Sequence, residues 1–264
     1  MSGINGEPLT CEAGLARVRG GRLLAALLLA LACRAQAPLT PPVVDADLAQ
    51  RGGLLFLDTR LSGDGSRSCA SCHPGGGSDG AVYLEGERVD PGTPGSRKSP
   101  RLWGLWQTPP YRWDGSAERL GPLIEDQLRV EMRGGSASEL DLRALHSYLL
   151  SLKPFDRGRI LEDGSPAEAT TLRQQRGREV FESAKCPLCH PAPAFTLRER
   201  RDVGTGAEFD VPTLRGLSAE GAAPYGHDGR WETPEQAARA MLAASEVELS
   251  DLELEYLLEY LGLL

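Results

Sequence analysis

The chain has 264 residues, with 29 Lys or Arg against 37 Asp or Glu and a formal net charge of −8. This acidity excludes a nucleic-acid partner, which would require a basic face. Hydrophobic residues make up 41% of the chain, so it is not disordered, but 5 Phe stand against 31 Gly and 19 Pro. The composition therefore predicts a loop-rich globular protein whose interior needs more than aromatic side chains to fill it.

The first element in chain order is an apolar run of ten residues, 23–32, preceded by three arginines. The run is too short to span a bilayer and is typical of a signal-peptide core. We predict a signal peptide over residues 1–37 and a mature chain in the periplasm. Cleavage before Cys33 would leave a site for a lipid anchor, whereas ordinary cleavage at 35–37 would not.

Four of the six cysteines form two C-x-x-C-H motifs, at residues 69–73 and 186–190. In c-type cytochromes the two thiols add to the vinyl groups of one porphyrin, and the following histidine reaches its iron. Disulfides, a redox dithiol and half a zinc site are the alternatives, but none explains a histidine after both pairs. The motifs predict two haem c groups, attached at Cys69, Cys72, Cys186 and Cys189 and ligated by His73 and His190.

The order of landmarks repeats along the chain. A Gly-x-x-x-Phe pair begins at Gly52 before the first haem motif and at Gly177 before the second. After each motif come Pro-x-Leu-x-Gly-Leu and Pro-Tyr-x-x-Asp-Gly, over residues 100–115 and 212–229. The repetition predicts two related domains. The two glycines are predicted to let the first and last helix of each domain cross closely.

Capping boxes, in which Ser or Thr is followed three residues later by Glu or Gln, predict helix starts at Ser136, Thr233 and Ser250. Alternation typical of strands is almost absent. We predict an all-α, loop-rich fold of two tandem cytochrome c-like domains, each with one covalently bound haem c. The predicted domains are residues 43–155 and 169–264, joined by a linker at 156–168.

The sixth iron ligands decide what such a protein does, because an empty position admits small oxidants whereas a Met/His pair suits electron transfer. For the second haem we favour Met241, which follows the motif on a capped helix, although most helical methionines only fill a core. His227 matches Trp113 in the repeat, and we interpret it as lining a haem edge or a propionate. His146 is interpreted as a packed or surface residue.

The first half offers fewer candidates. No His or Met lies between His73 and Trp113, which favours an open first iron. Met132 is the one rival ligand, since it occupies a place loosely equivalent to that of Met241. An open first haem and a closed second one would make the two sites chemically different.

These residues resemble the bacterial di-haem cytochrome c peroxidase family, including its relative from methylamine utilisation, over about Asp45 to Leu264. The resemblance rests on both haem motifs and on the following segments: Ser99-Pro100, Trp113-Asp114-Gly115, Val130-Glu131-Met132, and Pro224-Tyr225-x-His227-Asp228-Gly229 with Met241 beyond it.

The resemblance implies distinct roles for the two halves. The haem on His190 and Met241 would receive electrons, and the haem on His73 would react with peroxide. Trp113 would relay electrons between them, and Glu131 would be the acid-base group that moves a proton during cleavage of the peroxide bond. The alternatives are that Trp113 only fills a core and that Glu131 is a surface residue.

Three departures from the family pattern stand out. The stretch 74–112 lacks the removable distal histidine of the usual peroxidases, and Met241 replaces the tyrosine of the methylamine relative. Lys98 stands where the family's calcium site uses an asparagine, so calcium is not assigned. Arg129 precedes Val130-Glu131-Met132 where a proline is usual, which weakens the match at Glu131.

The function predicted from the resemblance is a periplasmic oxidoreductase that reduces hydrogen peroxide to water. Its electrons would come from a small cytochrome c or cupredoxin. Two alternatives stay open: oxidation of an aromatic residue on a partner protein, and a di-haem electron carrier in which Met132 closes the first haem. A lipid anchor at Cys33 and a homodimer also stay open.

Overall fold

The computed structural model describes residues 40–135, 137–168 and 170–264. Residues Thr40–Leu264 form one compact unit. The predicted signal peptide, Cys33 and the predicted capping residue Ser136 lie outside the described residues. Within the described ranges, none of the helices is both long and apolar enough to cross a membrane.

The described residues are rich in helix, as predicted. Seven α-helices follow one another and are joined by loops and 3₁₀ turns. They are α1 (Ala46–Phe56), α2 (Cys69–Cys72), α3 (Leu120–Arg129), α4 (Glu139–Ser151), α5 (Leu172–Ser183), α6 (Pro234–Ala244) and α7 (Asp251–Leu261).

Short strands correct the expectation of an all-α fold. A three-stranded antiparallel sheet has the order β2-β1-β3, and a separate pair joins β4 to β5. The hairpin between β1 and β2 turns at Glu85 and Gly86, both with positive φ, as tight hairpin turns require. Strands of two or three residues are too short to show an alternating pattern in the sequence. Their bounds are β1 (Val82–Leu84), β2 (Glu87–Val89), β3 (Arg97–Lys98), β4 (Arg200–Arg201) and β5 (Phe209–Asp210).

Two of the three predicted capping boxes are confirmed. The side chain of Thr233 caps α6, and that of Ser250 caps α7. The third helix start is wrong by two residues, because α4 is capped by Ser138, whose hydroxyl accepts from the backbone N–H of Asp141. The carboxylate of Asp141 accepts from the Ser138 hydroxyl at 2.7 Å, whereas the acidic residue of a standard box accepts from the backbone N–H of the capping residue.

The close helix crossings predicted at the two glycines are confirmed. A Cβ atom on Gly52 in α1 would lie 2.0 Å from the carbonyl oxygen of Ala144 in α4. A Cβ atom on Gly177 in α5 would lie 2.0 Å from the carbonyl oxygen of Tyr256 in α7. The backbones of the first and last helix of each half are therefore in contact, and the contact has the same geometry in both halves.

Each half has its own apolar core. Part of the predicted linker packs with the second core, because Ile160 is buried there and the Tyr260 hydroxyl donates to the Gly164 carbonyl at 2.7 Å. The domain boundaries themselves stay a prediction. The first core contains Phe56, Leu105, Leu120, Ile124, Leu128, Leu145 and Leu149, and the second contains Val180, Phe181, Phe195, Leu254, Leu257, Tyr260 and Leu261.

Candidate haem-binding sites and the junction between them

The first C-x-x-C-H motif forms the short helix α2 and the residue after it. Ser68 caps this helix in a box with Ser71. The backbone N–H of His73 donates to the Cys69 carbonyl at 2.9 Å, so a single helical turn sets the spacing of thiols and imidazole. The sulfurs of Cys69 and Cys72 are not joined in a disulfide.

The second motif has the same local geometry. A 3₁₀ turn covers Cys186–Leu188, and the His190 N–H donates to the Cys186 carbonyl at 2.8 Å. Burial raises the pKa of the Cys186 thiol to about 11, and that of Cys69 to about 11. A redox-active dithiol needs a thiol with a lowered pKa, so these pairs do not have that property.

Both motif histidines are oriented through one ring nitrogen. His73 Nδ1 lies 2.9 Å from the Pro100 carbonyl oxygen. His190 Nδ1 lies 3.1 Å from the Phe195 carbonyl oxygen and also bonds to the Pro212 backbone. Burial lowers the pKa of His190 to about 4, which keeps its imidazole neutral. A neutral imidazole with Nδ1 bonded to a carbonyl presents Nε2 to a metal, so the residues fit a haem iron.

The Ser99-Pro100 segment holds the first motif in place. The Ser99 hydroxyl donates to the Cys72 carbonyl at 2.8 Å, while the next residue supplies the carbonyl for His73. In the repeat, Pro100 corresponds to Pro212, and the two prolines hold the two histidines in the same manner. The repeated Pro-x-Leu-x-Gly-Leu segments thus begin directly behind the predicted iron ligands.

Trp113 bridges these two segments. Its indole Nε1–H donates to the carbonyl of Lys98 at 2.7 Å, two residues before Pro100. Its own carbonyl accepts from the N–H of Asp210 at 2.8 Å, two residues before Pro212. A chain of covalent and hydrogen bonds therefore runs from the backbone behind one predicted iron ligand, through Trp113, to the backbone behind the other.

His227 takes the equivalent place on the other side. Its carbonyl accepts from the N–H of Lys98 at 2.8 Å, which mirrors the bond between Asp210 and Trp113. The His227 ring is buried and stacks on Phe209 with ring centroids 3.7 Å apart. Desolvation is the main reason that the pKa of His227 is lowered. We call this set of residues, Lys98, Trp113, Phe209, Asp210 and His227, the junction.

Lys98 carries a buried ammonium group in the junction. Its Nζ lies 3.2 Å from the Ser78 hydroxyl and 3.1 Å from the Gly221 carbonyl oxygen, so oxygens of both halves hold it. Burial lowers the pKa of Lys98 to about 8. The ammonium group thus lies among these oxygens. Lys98 is the residue that stands in place of the asparagine of the family's calcium site.

Asp210 is the residue equivalent to Lys98 in the second half. Its Oδ1 is buried and has no hydrogen-bond partner. Burial raises the pKa of this carboxyl to about 7. The two halves therefore place opposite potential charges at matching backbone positions.

Glu131 and Met132 follow the end of α3. The Glu131 N–H bonds to the Gln127 carbonyl at 3.1 Å, and its side chain is half-buried. One carboxylate oxygen of Glu131 lies beside Gly86 in the β1–β2 hairpin. Met132 packs against the first core, as does Cys69. Their roles at the first haem stay predictions.

Met241 lies in the last turns of α6 and is half-buried. Its neighbours Ala238 and Leu242 pack against the second core. His146 is half-buried in α4, and burial lowers its pKa. Ligation of the second haem by Met241 stays a prediction.

Sequence reasoning missed two of the five junction residues. It singled out Trp113 and His227 but gave no role to Phe209 or Asp210. The repeat held the missing signal, because Lys98 and Asp210 each lie two residues before an equivalent proline. Opposite charge types at one repeated position mark a place where the halves meet different surroundings.

A helix-rich fold with two haem-attachment motifs, each histidine held by an equivalent proline carbonyl, defines a di-haem c-type cytochrome. A sequence model of the di-haem cytochrome c peroxidase family matches residues 46–149. The methylamine utilization protein MauG of Methylorubrum extorquens is 29% identical, over 73% of this chain and 66% of that protein, so the chain spans about two thirds of its length. Residues 46–149 thus match the di-haem cytochrome c peroxidase family, which implies two haem c cofactors, and the likeness to MauG extends over 73% of the chain.

Two further likenesses concern a curated relative and the fold. The cytochrome c551 peroxidase of Nitrosomonas europaea is 26% identical, over 75% of this chain and 73% of that protein. A structure of hydrazine synthase from Kuenenia stuttgartiensis superposes with a TM-score of 0.70 at 22% identity, covering 99% of this chain and 100% of that one. At this identity the second likeness shows the fold alone.

Proposed function

We propose that this protein is a periplasmic di-haem peroxidase that reduces hydrogen peroxide to two molecules of water, using two electrons and two protons. The electrons would come from a small cytochrome c or cupredoxin. The observation that carries the proposal is the bridge made by Trp113 between the two segments that hold His73 and His190. Similarity to the di-haem cytochrome c peroxidase family supports the choice of reaction.

The two haems would do different work. The haem irons supply the redox chemistry of peroxide cleavage. His73 would hold the haem that meets peroxide, since no His or Met follows it until Met132. His190 and Met241 would hold the electron-accepting haem, because a Met/His pair raises the potential and leaves no open position.

Glu131 would move a proton during the cleavage. Splitting peroxide requires a proton to pass from one peroxide oxygen to the other, which leaves as water. A carboxylate close to both oxygens can transfer this proton. Its half-buried side chain at the end of α3 suits this task, because the carboxylate reaches both solvent and protein.

Trp113 would carry electrons from one half to the other. The Trp113 indole contacts one histidine-holding segment and the Trp113 backbone contacts the other, which shortens the distance that an electron must cross through saturated protein. The hydrogen bonds of 2.7 and 2.8 Å on its two sides keep the ring and its backbone in place.

Two alternative functions keep the haems but change the reaction. If Met132 ligates the first haem, the protein is an electron carrier, and the packing of Met132 in the same core as Cys69 is the observation that favours this. If the first haem is open but peroxide turnover is absent, the protein oxidises an aromatic residue on a partner.

The deciding experiment measures the ferric spin state and peroxide turnover of the purified di-haem protein. We expect one high-spin haem, one low-spin haem, and steady-state oxidation of reduced cytochrome c by peroxide. Trp113→Phe should slow electron transfer between the haems and lower turnover, while Trp106→Phe serves as a control in the same half.

Each other result selects an alternative. Two low-spin, six-coordinate haems that ignore cyanide would leave only the electron carrier. A high-spin haem without turnover on any reduced cytochrome c or cupredoxin would leave the partner-oxidising reaction. Equal turnover in Trp113→Phe and wild type would remove the relay role from Trp113.

A further inference from the structure

Arg101 lies between the two histidine-holding segments and has no role so far. It directly follows Pro100, whose carbonyl accepts from His73. Its Nη2 lies 3.5 Å from the carbonyl oxygen of Thr213, the residue that follows Pro212. The guanidinium group therefore reaches from the backbone behind one haem motif to the backbone behind the other.

The charge of Arg101 is not balanced by the protein. Its Nε is buried and has no hydrogen-bond partner, and 3.5 Å is the outer limit for the one bond from Nη2. Arg101 takes part in none of the ion pairs that the described residues form. Burial lowers its pKa, but a guanidinium group remains charged. A desolvated cation without an anion is costly, so a bound anion is expected.

Neighbouring residues add to the excess positive charge. The ammonium group of Lys98, three residues earlier, hydrogen-bonds to neutral oxygens, and the carboxylate of Asp79 that acts on it is already paired with Arg88. Gly216 packs closely against Arg101, since a Cβ on Gly216 would lie 3.2 Å from the Arg101 Nε and 3.3 Å from its Cδ. This contact fixes the Nε edge of the guanidinium group, and no protein group accepts a hydrogen bond from that nitrogen.

We propose that Arg101 binds a carboxylate of a haem propionate at the boundary between the two halves. Each haem has two propionate carboxylates, and the planar guanidinium fork matches a carboxylate with two hydrogen bonds. A cation at this place disfavours the ferric state, so Arg101 raises the reduction potential of the haem that it contacts. The proposal rests on the presence of two haems and not on peroxidase activity.

The experiment is a spectroelectrochemical titration of the di-haem protein and its Arg101→Gln variant, with resonance Raman spectra of the propionate bending modes. In Arg101→Gln we expect one haem to lose about tenfold in its reduced-to-oxidised ratio at a fixed potential, which is about 59 mV for one electron. The propionate mode of that haem should shift, and the other haem should change less.

Two further variants separate charge from shape. Arg101→Lys keeps the charge but not the planar fork, so its potentials should stay near wild type while the propionate mode still shifts. Arg157→Gln is the control, since Arg157 lies over the ring of Phe155 and is exposed, and it should change neither quantity. If Arg101→Gln fails to mature, the propionate mode of Arg101→Lys decides alone.

Two results would overturn the proposal. Unchanged propionate modes in folded Arg101→Gln or Arg101→Lys carrying both haems would show that Arg101 only packs the boundary. A potential that responds to added inorganic phosphate in wild type, but not in Arg101→Gln, would assign the site to a free anion instead. Because neither readout uses peroxide, a failed peroxidase assay would leave this proposal standing.

Discussion

At the junction, the N-terminal half places Trp113 where the C-terminal half places His227, and Lys98 where it places Asp210. The backbone bonds are the same on both sides, because Asp210 N–H to Trp113 and Lys98 N–H to His227 both measure 2.8 Å. The duplicated main chain thus provides a symmetric frame, and the side chains on it differ. At the junction, the halves therefore differ in their side chains and not in these main-chain bonds.

The buried charged groups at the junction also differ between the two halves. Lys98 is a cation whose pKa is lowered to about 8, and Asp210 is an acid whose pKa is raised to about 7, both chiefly by burial. Desolvation moves both groups toward their neutral forms. Matching positions are therefore both desolvated, but the charge of each changes in a different pH range.

The largest expected effect tests the catalytic difference between the halves. Glu131 precedes Met132 in the first half, whereas Ala240 precedes Met241 in the second. We expect Glu131→Gln to keep both haems and lose about 10² to 10⁴ in peroxide turnover, the usual scale for a lost acid-base group. Steady-state turnover measures it, with the exposed Glu125→Gln in α3 as control. Turnover equal to that of the control would remove Glu131 from the site.

The next effect tests whether both halves depend on their helix crossings alike. Gly52→Ala and Gly177→Ala each place a methyl group 2.0 Å from a carbonyl oxygen. Each should lower the free energy of unfolding by about 3 kcal/mol or more. Gly121→Ala in α3 meets nothing within 4 Å, and should raise that free energy by about 0.4–1 kcal/mol. Urea denaturation checks all three, and a harmless Gly177→Ala would contradict the shared crossing.

A third change tests the difference between the two sixth ligands. Met241→Ala should lower the midpoint potential of the second haem by on the order of 100 mV, because loss of a thioether ligand destabilises the ferrous state. Met132→Ala should leave the ferric spin state of the first haem as it was. A redox titration and ferric absorption spectra give both answers. The opposite outcome, with Met132→Ala altering the first haem, would favour the electron carrier.

The smallest effect tests the buried charges. The folded pKa of Asp210, about 7, lies above its unfolded value of 3.8, so the folded state binds the proton more tightly. This contribution to stability is complete below pH 3.8 and is lost as the pH rises to about 7. After allowance for partial exposure, about 2 kcal/mol should disappear.

Asp210→Asn should not show that loss, because an amide does not titrate. Urea denaturation of both proteins at pH 4.5 and pH 7.5 provides the measurement. If wild type and Asp210→Asn lose the same stability between these two pH values, Asp210 is not the group that titrates.

Local chemistry explains what could be predicted. The C-x-x-C-H motifs needed only their spacing, since one helical turn places the thiols and the imidazole. The caps at Thr233 and Ser250 are likewise contacts over three residues. The predicted start of α4 was wrong because two serines compete for the capping position. Ser136 is followed three residues later by Glu139, and Ser138 by Asp141, and the sequence alone does not show which serine caps the helix.

The amino-acid sequence by itself determined the haem motifs, the duplication and the two close helix crossings, because each depends on residues near one another or on a repeated pattern. Only the tertiary structure brought Trp113 against Lys98 and Asp210, and Arg101 against Thr213. These contacts join residues that lie 15 to 112 positions apart. Their burial, and hence the shifted pKa of Lys98 and Asp210 and the unpaired charge of Arg101, exists only once both halves are packed together.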